Sequence, residues 1–138
     1  MTVEEKRGEL AKYRIKQAEE SLEEAKFLLS GNKSPRSVIN RIYYTMFYSV
    51  LALLIYEPYS SSKHSGVLSY FNRHFIKEGI FEKELGRDIN EAFELRQQED
   101  YREYTTLNVE QITPYIEKAD RFIKAVKDYL IHNKNLLP

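Results

Sequence analysis

The sequence predicts an all-α fold, an up-and-down bundle of four to five antiparallel helices. Three observations carry this. Apolar residues recur at alternating spacings of three and four through most of the chain. No strand-like alternation persists over six residues. Capping and breaking residues (Gly31-Asn32, Ser34-Pro35, Pro58 and Asn108) divide the chain into helix-sized segments.

The first segment carries Ala11, Ile15, Ala18, Leu22, Ala25 and Leu29 on one face, with Glu19, Glu20, Glu23 and Glu24 turned away. Gly31-Asn32 supplies a left-handed stop. Ser34 then caps a second helix whose first residue, Pro35, needs no amide donor. That helix, "RSVINRIYYTMFYSVLALLIYE", is apolar nearly all round, so it belongs in the middle of the bundle, and Pro58 marks its limit. The serine-rich "YSSSKHSG" is a loop. A third helix runs from about Val67 through Phe71 and Phe75 to Gly79, and a fourth from about Glu82 to Asp100. The last carries Ile112, Ile116, Ala119, Ile123, Val126 and Leu130. Asn108 with Gln111 forms a capping-box pattern, and Thr113-Pro114 is an alternative start; Asn108 is favoured, with a local distortion near Pro114.

At 138 residues the chain is expected to form a single domain over 1–138 with a real core. Its 21 basic and 21 acidic residues leave no net charge, which argues against a general polyanion binder and leaves room only for a local basic patch. Absence of cysteine excludes disulfides and thiolate metal sites. No segment has the roughly 18 consecutive apolar residues of a membrane span, and "MTVEEKRGEL" has no signal-peptide core. A soluble cytoplasmic protein without membrane contact is expected.

One position breaks the pattern. Leu85, Ile89 and Ala92 form the apolar stripe of the fourth helix, and its next place is Arg96, with Asp100 four residues on. Either Arg96 pairs with Asp100 or another carboxylate, or this helix end opens into a cleft where a planar guanidinium meets phosphate or a partner. Arg41, beside Asn40 in the apolar second helix, poses the same choice between an internal polar network and a ligand contact. His64 and Lys63 share the serine loop at the start of the third helix, as surface or capping residues or as an anion site. Several of the eleven tyrosines cluster in "RIYYTMFYSV" and "EDYREY", suited to packing with hydroxyls at a rim, or to binding. His64, His74 and His132 show no zinc spacing, and no cofactor motif, glycine-rich phosphate loop or nucleophile triad is present.

Taken together, "RIYYTMFYSVLALL", "SSKHSGVLSYFNRHFIKEG" and "RQQEDY" resemble the HEPN domain proteins, specifically a small stand-alone subgroup, over about Ala18 to Tyr129. The resemblance implies a HEPN-like bundle that pairs as a homodimer. It also implies a partner, a minimal nucleotidyltransferase encoded nearby, in toxin–antitoxin-like pairs. Many HEPN proteins are metal-independent endoribonucleases with an arginine, four to six residues, then a histidine. There the histidine handles a proton while the arginine steadies charge on phosphate. Arg96 matches that arginine, but the three histidine positions hold Tyr101, Arg102 and Glu103. In some paired HEPN toxins a tyrosine two residues past the histidine receives nucleotidyl groups; that offset falls on Glu103, with Tyr104 next, and Tyr101 is an equal candidate.

Tyr101 is a poor base at neutral pH, since a free tyrosine titrates near 10. The expectation is therefore a binding protein whose dimer cleft uses Arg96, Asp100 and Tyr101 for a nucleotide, RNA or the nucleotidyltransferase. The alternatives are an endoribonuclease with a degenerate site, in which Tyr101 or an inward-swung His64 takes the histidine's part, and a non-catalytic structural adaptor.

Overall fold

The computed structural model describes residues 1–101 and 107–137, and only the helical backbone of 99–101. The described residues form helices α1 (Val3–Ser30), α2 (Pro35–Leu54), α3 (His64–Phe71), α4 (Lys83–Tyr101), α5 (Val109–Ile112) and α6 (Pro114–Lys134). A π-helical turn, Asn72–Ile76, extends α3. The all-α bundle read from the sequence is the one observed: α1, α2, α4 and α6 are its long members, and α5 is a single turn leading into α6.

Position follows composition. Helix α2, the most apolar of the long helices, packs on all five other helices, with Val38, Ile39, Ile42, Tyr43, Met46, Val50 and Ala52 fully buried. Its buried Thr45 and Ser49 hydroxyls are answered within the helix, Thr45 donating to the Arg41 carbonyl at 3.0 Å and Ser49 to the Thr45 carbonyl at 2.7 Å. The predicted stripes of α1, α4 and α6 are buried at Ala11, Ile15, Ala18, Leu22, Ala25, Leu85, Ile89, Ala92, Ala119, Ile123, Val126 and Leu130. Polar pairs tie α6 to its neighbours. Buried Asp88 of α4 accepts from Arg121 at 2.9 Å, and Glu91 accepts a short hydrogen bond from the Tyr115 hydroxyl. Lys127 reaches Glu19 of α1 at 3.0 Å.

Helix ends largely follow local chemistry. Ser34 accepts from the Ser37 amide with Pro35 next, and Asn108 and Gln111 make the reciprocal capping box. The break falls at Thr113, where Pro114 opens α6. The Gly31-Asn32 stop is observed, with Asn32 as its left-handed residue (φ 55°) and Gly31 at φ −87°. One reading needs correction. The third helix starts at His64, three residues before Val67, and widens into the π turn, marked by the Lys77 amide bonding the Asn72 carbonyl at 2.8 Å. There the Asn72 amide bridges the Leu68 carbonyl and Asn90 of α4. Gly86 lets α4 approach, since a Cβ there would stand 2.6 Å from Asn72 Oδ1.

Phe122 on α6 is fully buried and its ring lies 5.5 Å from that of Phe71. Phe122→Ala is expected to cost about 3–5 kcal/mol, read as a lower urea midpoint at unchanged slope. A loss below about 1 kcal/mol would mean that this core collapses around the gap.

Candidate functional site

The site is an aromatic cluster on α2 with charged groups brought to it from α3 and α4. Buried Tyr43 and half-buried Tyr44 meet edge to face at 5.3 Å. Phe47, one turn on, stacks against Tyr43 at 5.6 Å. The stripe of α4 delivers Arg96 to these rings, its Cζ 5.3 Å from the Tyr43 centroid and 5.2 Å from that of Tyr44. Arg96 Nη2 is 3.5 Å from the Tyr44 hydroxyl, the outer limit of a hydrogen bond. Its Nε is buried with no hydrogen-bond partner among the described residues. A ring face attracts the charge but accepts no directed N–H bond, so the guanidinium keeps donor capacity in hand.

His64, first residue of α3, lies flat on Phe47, with centroids 4.1 Å apart and planes 9° from parallel. Its Nδ1 is 2.8 Å from the Tyr43 hydroxyl. Burial, and then the nearby charge of Arg96, push the His64 pKa below its ordinary 6.5, favouring the neutral ring. Burial drives the Tyr43 pKa well upward, against a smaller opposing pull from Arg96, so that hydroxyl keeps its proton. A hydroxyl can donate or accept. The Tyr43 contact therefore serves either neutral tautomer and the imidazolium, leaving Nε2 able to take or release a proton.

On its other side Arg96 opens into a cavity of about 320 Å³ lined by Leu28, Arg36, Ser37, Asn40, Arg41 and itself. Three guanidinium groups line it. Arg41 bonds Asn40 Oδ1 at 2.8 and 3.2 Å, lies 3.6 Å from Glu24, and stands 5.1 Å from the Tyr44 centroid. Arg41 thus has the polar network expected of it and also faces the cavity. Planar forks with serine and amide side chains suit a phosphate group.

Of the residues singled out from sequence, Arg96, Arg41 and His64 meet around Tyr43, Tyr44 and Phe47. Lys63 is exposed at the N-cap of α3, makes no side-chain cap bond and lines neither this cavity nor the one beside His64. The side chains of Asp100 and Tyr101, and Arg102, Glu103 and Tyr104 altogether, lie outside the described residues. Arg36 escaped the sequence reading, although it stands four residues before Asn40 on one face of α2. His74 stacks on Tyr70 at 4.1 Å, and His132 is exposed. Among the described residues no three metal-binding side chains converge, and no helix is long and apolar enough to cross a membrane.

The model of the HEPN domain matches residues 11–129. The chain belongs to the HEPN family. The match begins seven residues before Ala18, taking in the buried Ala11 and Ile15 of α1. Relatives in this family include a Thermotoga maritima UPF0332 protein, 44% identical over 86% of this chain and 89% of its own. Two Methanocaldococcus jannaschii proteins, each named "Putative toxin", are also similar. One is 40% identical over 89% of this chain and 82% of its own; the other is 35% identical over 84% and 85%.

The depressed His64 pKa has a stability consequence in this HEPN bundle. Below about pH 6.5 the unfolded chain takes up that proton more readily than the folded one, so stability rises with pH across that window and falls on acidification. His64→Gln is expected to flatten the change in urea midpoint between roughly pH 7.5 and pH 5. An unaltered slope would remove His64 as its source.

Proposed function

We propose that this HEPN protein is toxin-like and binds RNA, holding a backbone phosphate with Arg96, Arg36 and Arg41. The observation that carries this reading is the buried Nε of Arg96, without a hydrogen-bond partner among the described residues, on a guanidinium braced by two rings at the edge of a three-arginine cavity. The names of the two Methanocaldococcus relatives support the toxin-like character. Zero net charge fits a local phosphate grip and not a long-range field. The test is binding of a short single-stranded RNA. Arg96→Ala is expected to weaken it roughly tenfold or more, the scale of a hydrogen bond to a charged group, with helical content unchanged. Equal affinity of variant and parent would refute the proposal, and competition by free nucleotide alone would reassign the ligand.

A second reading is favoured by one contact, that of His64 with the ring that supports Arg96. In it the protein is a metal-independent endoribonuclease. The RNA 2′-oxygen attacks the adjacent phosphorus and gives its proton to His64 Nε2. The P–O5′ bond breaks as the P–O2′ bond forms, and a proton from solvent or a second imidazole completes the 5′-hydroxyl. Arg96 would balance charge on the non-bridging oxygens. Cleavage in EDTA yielding 2′,3′-cyclic ends, lost in both Arg96→Ala and His64→Ala, is the expected result. Since His64 is the base and its pKa is lowered, the acid limb of the rate profile falls below pH 6.5. Inertness of the parent chain toward RNA under these conditions would retire this reading.

The same proposal includes a homodimer with the arginine cavities near its cleft, and a minimal nucleotidyltransferase as partner. Co-expression with the neighbouring gene's product should yield a complex. Intact mass should then rise by one nucleotidyl group, lost when both Tyr101 and Tyr104 are replaced by phenylalanine. Separate elution and an unchanged mass would remove that partner.

A further inference from the structure

We propose that the cavity beside His64 receives a single unpaired nucleobase of the RNA whose phosphate Arg96 holds, an inference that rests on the RNA-binding reading above. This cavity measures about 310 Å³. That is near the lower end for small-molecule pockets, about 300 Å³, and suits one base with its sugar better than a stacked pair. Phe47, Leu51, Leu54 and Ile55 give it an apolar lining, while Ser60, Ser61 and Ser62 bring hydroxyls. Among the described residues Arg14 is its one charged lining residue, and none of them opposes the electron-rich edge of a base with a carboxylate.

Stacking is what recommends a base over another apolar group. Tyr59 lines the cavity and ends a ladder of rings, with Tyr70 4.5 Å away at 14° and His74 4.1 Å beyond Tyr70 at 27°. Tyr70 is anchored through its hydroxyl to Glu57 at 2.8 Å. A base entering the cavity would continue this ladder on Tyr59. The Tyr59 hydroxyl and Ser61 lie against the bare backbone of Gly66, where a Cβ would stand 2.7 Å from Tyr59 Oη and 2.9 Å from Ser61 Oγ. Ser61 Oγ also accepts from the Lys63 amide at 3.1 Å. The groups that would touch the base are therefore held before it arrives, which limits the ordering cost of binding.

Continuity with the phosphate site supplies the second argument. His64 lines this cavity, and its ring lies 5.6 Å from Tyr43 and 5.8 Å from Tyr44, the two rings that hold Arg96. Base and phosphate of one RNA segment would meet two sides of one aromatic cluster. Serine hydroxyls donate and accept alike, so the pocket requires a base without choosing among bases.

The experiment measures anisotropy of a labelled single-stranded RNA in which one abasic position is moved along the strand. At one position the missing base is expected to weaken binding roughly 5- to 100-fold, while exchanging one base for another there changes little. That penalty should vanish in Tyr59→Ala. Leu51→Phe, which fills the cavity and leaves Tyr59 in place, should weaken the intact RNA and spare the abasic one. Gly66→Ala should act like Tyr59→Ala. An abasic penalty of equal size in parent and both cavity variants, or no penalty at any position, overturns the base pocket. If RNA binding then still depends on Arg96, the phosphate reading stands alone. A parent protein that binds no RNA overturns both.

Discussion

A positive charge can follow the core-facing stripe of a helix only where something offsets its loss of water. In this bundle the offset comes from the faces of Tyr43 and Tyr44, each within 5.3 Å of the Arg96 guanidinium carbon. Those rings sit on α2, and α2 can present them from the centre because its other faces bury Ile39, Ile42, Met46 and Val50. The constraint therefore runs from composition to chemistry. An almost wholly apolar helix takes the middle of the fold, and its aromatic residues support Arg96 from α4 and His64 from α3. Ring faces leave N–H donors unanswered, and the contact that steadies Arg96 leaves its Nε without a hydrogen-bond partner among the described residues.

Electrostatics in this cluster act over short distances. With 21 basic and 21 acidic residues the protein has no net field to steer an anion from afar. Arg36, Arg41 and Arg96 nevertheless line one cavity, with Glu24 3.6 Å from Arg41. Burial and then the charge of Arg96 lower the His64 pKa and favour the neutral ring. An anion bound at Arg96 would offset the second of those causes and not the first.

Much of the fold was legible because it is local. Ser34-Pro35 and the Asn108–Gln111 box act on their own backbones, so spacing alone locates them. The apolar stripes of α1, α4 and α6 need only periodicity. What sequence reading missed is what depends on another segment. The π turn at Asn72–Ile76 leaves no mark in the apolar pattern, since Phe71 and Phe75 fall on one face of an ordinary helix too; Asn90 and Gly86 of α4 are what it meets. Arg96 stood out as a break in a stripe. His64 was marked by its serine loop, but its place was not legible, because nine residues without helix separate α2 from α3 and nothing within them says which side of α2 the histidine will reach.

That displaced histidine bears on what a motif means. An arginine–histidine spacing within one helix end is one way to bring an imidazole near a guanidinium, but the chemistry depends only on where the two groups stand. Here α4 supplies Arg96 and α3 supplies His64, and Tyr43 of α2 contacts both: its ring faces the guanidinium and its hydroxyl meets Nδ1 at 2.8 Å. Because burial keeps that hydroxyl protonated, it can hold the imidazole in any protonation state while the ring beneath Arg96 is unchanged. Tyr43 joins the two groups in space as the helix end would have joined them in sequence. The three motif positions hold Tyr101, Arg102 and Glu103, so under the nuclease reading proton transfer would fall to His64, held by Tyr43.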